Sequence, residues 1–169
     1  MTDLGSAPLP PPAADDHVRG RDDAPLVVEY ADFECHYCAM AHVRLRDVAI
    51  RQVFRHFPVR SKHPRAWACA CAAEAAARQG RFWEMHDALY DDQGRLDEPH
   101  LWERARRLGL DLQRFEADRR SDAAVERVRR DFESGVRAGV VTTPTLFVEG
   151  EAHPGIPDEA LLRRLAARD

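Results

Sequence analysis

The strongest constraint on this chain is Cys35-His36-Tyr37-Cys38, two cysteines three residues apart where the residue pattern switches from strand to helix. Ahead of it, Leu26 to Ala31 is a short, mostly apolar run rich in Val and Tyr and preceded by Pro25, as in a buried strand. Behind it, Ala39 to Leu45 takes helical spacing. Cysteines at this offset lie on one face of a first helical turn, near enough to close a disulfide. The first of them sits at the helix N-terminus, where unpaired backbone N–H groups and the helix dipole favour a thiolate. That setting lowers a Cys pKa from about 8.5 into the range of roughly 3.5–7.5. The stretch therefore reads as a dithiol/disulfide site, with Cys35 the nucleophile and Cys38 the resolving thiol.

At 169 residues the chain can bury a core without covalent cross-links. Four cysteines in that length are too few for a disulfide-framed scaffold, so the C-x-x-C points to redox or metal chemistry. Residues 1–24 are rich in Pro, Ala and Asp and show neither a signal peptide nor a membrane span, so the expectation is a cytoplasmic chain with no membrane contact. Net charge is −4, with 24 arginines and one lysine, Lys62. The arginines alternate with acids, as between Glu126 and Arg130, which predicts solvated helix faces with i,i+4 pairs rather than a nucleic-acid surface.

Taken in order, residues 1–22 read as a flexible lead-in, because Pro8 to Pro12 cannot pair as a strand, and the fold is expected to start near Asp23. Glu29 is the odd member of the first strand. An acid among apolar strand residues costs free energy unless paired, and burial raises its pKa. It either faces the thiols as a proton acceptor and donor for Cys38, or points to water from an edge strand. A short helix over 39–49 and an alternating strand over Arg51 to Phe57 complete a right-handed parallel crossover. The Ala-rich stretch from Arg65 to Arg78 opens a block of about five helices over 64–139, with helix caps at Asp97 and Asp111 and a last helix from Ser121 to Ala138. In the last of these, Val125, Val128, Phe132 and Val136 form the expected buried stripe, and Gly135 an internal weak point. Strand character returns from Val140 to Val148, followed by a turn, a short return strand and a final helix capped by Asp158. The domain expectation is one unit made of 23–63 and 140–169, with 64–139 inserted.

Several pieces then recur in a specific order. They are Glu29 six residues before Cys35; Phe54-Arg55-His56-Phe57-Pro58; His63-Pro64; Ala72-Ala73-Glu74; Gln79-Gly80-Arg81-Phe82-Trp83-Glu84-Met85-His86; Leu108-Gly109-Leu110-Asp111; and Thr143-Pro144-Thr145-Leu146-Phe147-Val148. Together they resemble the DsbA-like branch of the thioredoxin superfamily, over about residues 17–167. The resemblance implies an α/β thioredoxin fold with a helical domain inserted after the second strand. It also implies thiol-disulfide exchange with protein or peptide thiols and disulfides, and a separate redox partner that recycles the pair. No organic cofactor or metal is expected, since the Cys35–Cys38 disulfide carries the electrons. The Thr143–Pro144 bond is expected to be cis, turning the Thr143 backbone towards the dithiol, where it and Tyr37 would meet an extended substrate segment by strand addition. Glu29 is strengthened as the buried acid.

This sequence departs from the pattern where His36 replaces the usual Pro and Thr142 the usual Gly. A protonated His36 would stabilise the Cys35 thiolate, and a neutral one would lie in solvent. In a reducing cytoplasm, reduction or isomerisation is the expected direction. Three alternatives stand beside this reading. One is a relative of the same fold that uses glutathione or a small molecule. Another is a redox-inert binding module, or a domain resembling those attached to bacterial sodium/proton antiporters. The third is a metal site built from Cys35, Cys38, Cys69 and Cys71 with His42. Against the third, residues two apart on a helix point about 200° away from each other, which makes Cys69 and Cys71 small packing residues. His63, His86 and His153 are expected to serve packing or surface roles, and His56 to be buried or at the sheet edge.

Overall fold

The computed structural model describes residues 6–167, so the first five residues of the expected lead-in lie outside it. The apolar run before the dithiol forms β2 (Leu26–Ala31), of which Val27 to Ala31 are all buried. Burial on both faces is what a near-continuous apolar strand predicts. Parallel to it runs β3 (Arg51–His56), and the crossover between them is α1 (His36–Leu45). On the other side β4 (Thr145–Val148) pairs antiparallel with β2, and β5 (Glu151–Pro154) with β4. Glu149 and Gly150 make the connecting turn with φ of 53° and 83°, the left-handed pair that a two-residue hairpin requires.

Between β3 and β4 the chain makes five helices: α2 (Ala66–Ala77), α3 (Phe82–Asp91), α4 (Glu98–Arg107), α5 (Leu112–Arg119) and α6 (Asp122–Arg137). The final helix is α7 (Glu159–Ala166). Helix starts at Asp111 and Asp158 are capped as predicted, and Ser121 caps α6 as well, each side chain accepting a backbone N–H three residues on. Asp97 stands at the start of α4, but its carboxylate is engaged by the His100 ring instead.

The expectation of a flexible lead-in is corrected for residues 6–22. His17–Arg19 forms β1, antiparallel to β3, and the sheet order is β1-β3-β2-β4-β5. Prolines lack an N–H but keep their carbonyls. Those of Pro10 and Pro11 each accept a bond from the Arg55 guanidinium at 3.0 Å. Arg55 also pairs with Asp16 at 2.9 Å, both side chains being 4% exposed. The expectation of solvated arginines needs the same amendment, because Arg55, Arg104 and Arg119 are buried. Arg104 spends its guanidinium on the carbonyls of Ala88, Asp92, Arg95 and His100, joining α3 to α4.

On α6 the buried face is Ala124, Val128, Asp131, Ser134 and Gly135, whereas Val136 is 54% exposed. Polar residues belong to this face because the sheet supplies partners. The Tyr30 hydroxyl and Ser134 Oγ are 2.8 Å apart, and the His56 backbone N–H donates to Asp131 at 3.1 Å. Gly135 is a point of close approach rather than weakness, since a Cβ there would stand 2.7 Å from the Phe57 ring.

Candidate active site

The period of two along β2 divides its side chains between the faces of the sheet. Val28 and Tyr30 pack with Val53, Phe57 and Phe147 on the α6 side, while Val27 packs with Leu45, Leu146, Leu161 and Leu165 on the side of α1 and α7. Glu29 shares the second face, between its register partners Phe54 and Leu146. It is fully buried, and Gln52 Nε2 donates to its Oε2 at 2.6 Å, while Oε1 has no partner. Burial pushes its carboxyl up to about 7, opposed by the Gln52 bond and by the Arg19 charge.

Cys35 is the N-cap of α1 in extended backbone, and the helix begins at His36, three residues earlier than its apolar spacing suggests. At that end the first-turn backbone N–H groups point out of the helix towards its N-cap. Those of Tyr37 and Cys38 act on the Cys35 sulfur, after the larger contribution of the Cys38 thiol and that of the Thr143 side chain. Against the opposing effect of burial, these donors hold the Cys35 thiol down to about 5. As a thiol, Cys35 lies 3.5 Å from the Thr143 carbonyl oxygen, to which it donates. Cys38 is fully buried, and burial first, then its bond to the Cys35 sulfur, push its thiol well above the ordinary value, with the Glu29 charge adding to this. Both cysteines are free thiols. The pair is therefore strongly asymmetric, one sulfur poised to ionise and the other held as S–H.

The structure brings Cys35, Tyr37 and Thr143 to one cleft of about 230 Å³, which Val59, His63 and Val141 also line. The Thr143–Pro144 bond is cis. Tyr37 is 59% exposed beside the dithiol. His36 is exposed, its ring tilted against that of Tyr37 at 6.2 Å between centroids, and it is not among the main groups that lower Cys35.

Sequence reasoning missed several residues that shape this site. Asp32 is buried, with its backbone N–H 3.5 Å from the Cys38 sulfur, and its carboxylate holds the Glu34 and Val59 N–H groups and the His63 ring, each at 2.8 Å. From the helical block, Gln93 donates to the carbonyls of Phe33 and Cys35. Asp32 carried a usable signal, an acid next to the dithiol at a strand end. Gln93 carried none, since a polar residue between two helices has no distinguishing neighbours.

Cys69 and Cys71 diverge as their spacing predicts. Cys69 packs in the cluster that contains Cys35, Cys38 and Met85, while Cys71 packs with Trp67, Ala124 and Val128. Burial pushes their thiols up to about 12 and about 11. Among the described residues, the clusters with ligand atoms close enough to share an ion are His17, His56 and Glu74, and His42, His86 and Asp87, neither of which contains a cysteine.

A dithiol at the N-terminus of the helix after a central strand, facing a cis-proline loop, defines a thioredoxin-type protein. The family profile described as Thioredoxin matches residues 13–165, and the chain belongs to that family. Within it, the resemblance to DsbA-like proteins holds. A thioredoxin-like oxidoreductase from Silicibacter pomeroyi DSS-3 superposes with a TM-score of 0.81 at 26% identity, covering 92% of each chain. The thiol-disulfide exchange protein alpha-DsbA2 of Wolbachia pipientis also gives 0.81, at 18% identity over 91% of this chain and 87% of that one, a likeness of fold. Among curated relatives, Na(+)/H(+) antiporter NhaA 3 of Salinispora tropica is 47% identical over 149 residues, 83% of this chain.

The chain spans only 22% of the length of that relative. An antiporter works across a membrane, so the expectation of a cytoplasmic chain is overturned by this match. With it falls the argument from a reducing cytoplasm for one direction of exchange. Among the described residues, no helix is long and apolar enough to cross a membrane.

Proposed function

We propose that the chain is a thiol-disulfide oxidoreductase acting on protein or peptide substrates through Cys35 and Cys38. The observation that carries this is the unequal placement of the pair, Cys35 at the N-cap of α1 with its sulfur 3.5 Å from the Thr143 carbonyl oxygen and Cys38 fully buried, which holds the first thiol down to about 5 and pushes the second up. The Cys35 thiolate attacks a substrate disulfide; an intermolecular S–S bond forms, the substrate S–S bond breaks, and one substrate sulfur leaves as a thiolate. Cys38 then passes its proton to Glu29 and attacks the Cys35 sulfur. The second substrate sulfur leaves, the substrate is reduced to a dithiol and the Cys35–Cys38 pair is oxidised. A recycling thiol partner restores the pair, and the same steps run backwards oxidise a dithiol.

An extended substrate segment would meet Thr143 and Tyr37, which line the same cleft, the Thr143 backbone by strand addition. The cleft, at about 230 Å³, falls below the roughly 300–1,000 Å³ usual for enclosed small-molecule sites, which favours a peptide over a glutathione-sized ligand. His36 is exposed at the rim of the cleft, where its ring tilts against that of Tyr37.

A second reading is favoured by the identity to the antiporter relative. In it the same dithiol is a redox-responsive module of a longer transporter, with slow exchange and a regulatory output. Turnover of a protein disulfide by the purified chain separates the readings. The proposed enzyme loses turnover in Cys35→Ser and keeps most of it in Cys69→Ala and Cys71→Ala. Equal loss in all three variants would overturn the assignment, and wild-type turnover no faster than that of a free dithiol would favour the regulatory module.

A further inference from the structure

The edge strand β1 ends in a residue that reaches towards the buried acid. In register, Arg19 lies opposite Gln52, and Gln52 opposite Val27, two residues before Glu29. The side chains of Arg19, Gln52 and Glu29 thus stand on the sheet face against which α1 packs, where Cys38 clusters with Phe54, the register partner of Glu29. Arg19 Nε donates to Gln52 Oε1 at 2.9 Å, and Gln52 Nε2 donates to Glu29 Oε2 at 2.6 Å. Behind them Arg19 Nη1 donates to both carboxylate oxygens of Asp87 at 2.9 and 3.0 Å, and its guanidinium lies 4.3 Å over the Trp83 ring.

The order of these bonds has a direction. A glutamine amide has one acceptor end and one donor end. With the oxygen occupied by a guanidinium, which only donates, Gln52 has just its NH₂ to offer Glu29. A donor at this position bonds a carboxylate more strongly than a neutral acid. Glu29 Oε1 is left buried without a partner, as the oxygen free to take a proton and return it.

We propose that Gln52 and Arg19 are positioning residues for Glu29, the bridge from Asp87 through Arg19 and Gln52 fixing one carboxyl oxygen and leaving the other for proton exchange with Cys38. The inference rests on the exchange reaction proposed above. Arg19 from β1, Cys38 from α1 and Tyr90 from α3 are coupled electrostatically to Glu29; around them stand Asp87 on Arg19, His86 against the Phe54 ring and His42 against Tyr90. Phe54 and Leu146, the register partners of Glu29, bring no charge. Neither the amide nor the guanidinium relays the proton. They act as a fixed dipole and a cation that favour the ionised acid against its burial.

The test is the carboxyl titration of Glu29, followed by carbon-13 NMR in the reduced, folded chain without substrate, for wild type, Gln52→Met, Arg19→Met and Arg19→Lys. Gln52→Met and Arg19→Met should each raise the midpoint by about one pH unit, and Arg19→Lys, which keeps the charge, by less. The pH midpoint for resolution of a preformed mixed disulfide should move upward in step. An unmoved titration in folded Gln52→Met overturns the proposal. Should that variant not fold, equal midpoints for Arg19→Met and Arg19→Lys overturn it. If the titration moves while the wild type exchanges no disulfide, the positioning stands and the reaction falls. If exchange is normal and the titration does not move, the reverse holds.

Discussion

The Cys35 sulfur and the Thr143 carbonyl oxygen stand 3.5 Å apart although 108 residues separate them in the chain. The contact closes the cleft across the whole helical block, so whatever enters to meet the sulfur also meets the backbone of Thr143. In the exchange proposed above, the ionised sulfur no longer donates to that carbonyl, which leaves it as an acceptor for the backbone N–H of a substrate strand.

The Cys38 thiol is the foremost donor to the Cys35 sulfur. Cys38→Ala should therefore raise the Cys35 pKa above about 5, while the backbone N–H groups of the α1 terminus still keep it below that of a free cysteine. Thiolate absorbance at 240 nm against pH reads this directly. An unchanged midpoint would mean that the helix terminus alone sets the poise.

Glu29 gives a stability signature of known sign. Its folded pKa is raised from 4.5 to about 7, so the native state binds this proton more tightly than the unfolded chain. The contribution is fully present below pH 4.5 and is lost as pH rises through about 7. Cys35 runs the other way in the reduced protein: its lowered pKa adds stability as pH rises from about 5 towards 9. Glu29→Gln removes only the first effect. Relative to wild type the variant should gain stability between pH 4.5 and 7, by an amount of up to about 3 kcal/mol. Urea unfolding at several pH values measures it, and a pH-independent difference would refute the shift.

Asp16 and Arg55 form a buried pair with two proline carbonyls as further acceptors. Removing one partner from a buried pair costs about 3–5 kcal/mol, because the other is left uncompensated. Asp16→Ala should fall in that range in denaturant unfolding and should raise hydrogen exchange across β1. A loss below about 1 kcal/mol would assign the pair the energetics of a surface contact.

Gly135→Ala tests the packing of α6 on the sheet. Helix propensity alone would predict a gain of up to about 1 kcal/mol, whereas a methyl 2.7 Å from the Phe57 ring and 2.8 Å from the Tyr30 ring predicts an overpacking loss of about 1–3 kcal/mol. The sign of the change in thermal midpoint decides between them.

What the sequence discloses here follows the range of the interactions involved. β2, the dithiol and the caps at Asp111 and Asp158 are local patterns, and they are legible. So is the divergence of Cys69 and Cys71, which follows from helical geometry. The buried face of α6 is not, because Asp131 and Ser134 read as solvent residues until Tyr30 and the His56 backbone are known to face them. The anchoring of Asp16 is hidden because Pro8 to Pro12 removes the strand signal while leaving the carbonyls that Arg55 uses. Gln52 and Arg19 depend on the register of three strands, and only the cis-proline loop, equally remote, was supplied by family resemblance.

The placement of Arg19 makes the beginning of this domain a functional coordinate. A fragment cut to start after β1 would retain all four cysteines, the cis-proline loop and every helix, yet lose the cation that reaches Glu29 through Gln52. Domain boundaries drawn from the dithiol and its flanking strands alone would yield a protein with the right inventory and the wrong acidity at its centre.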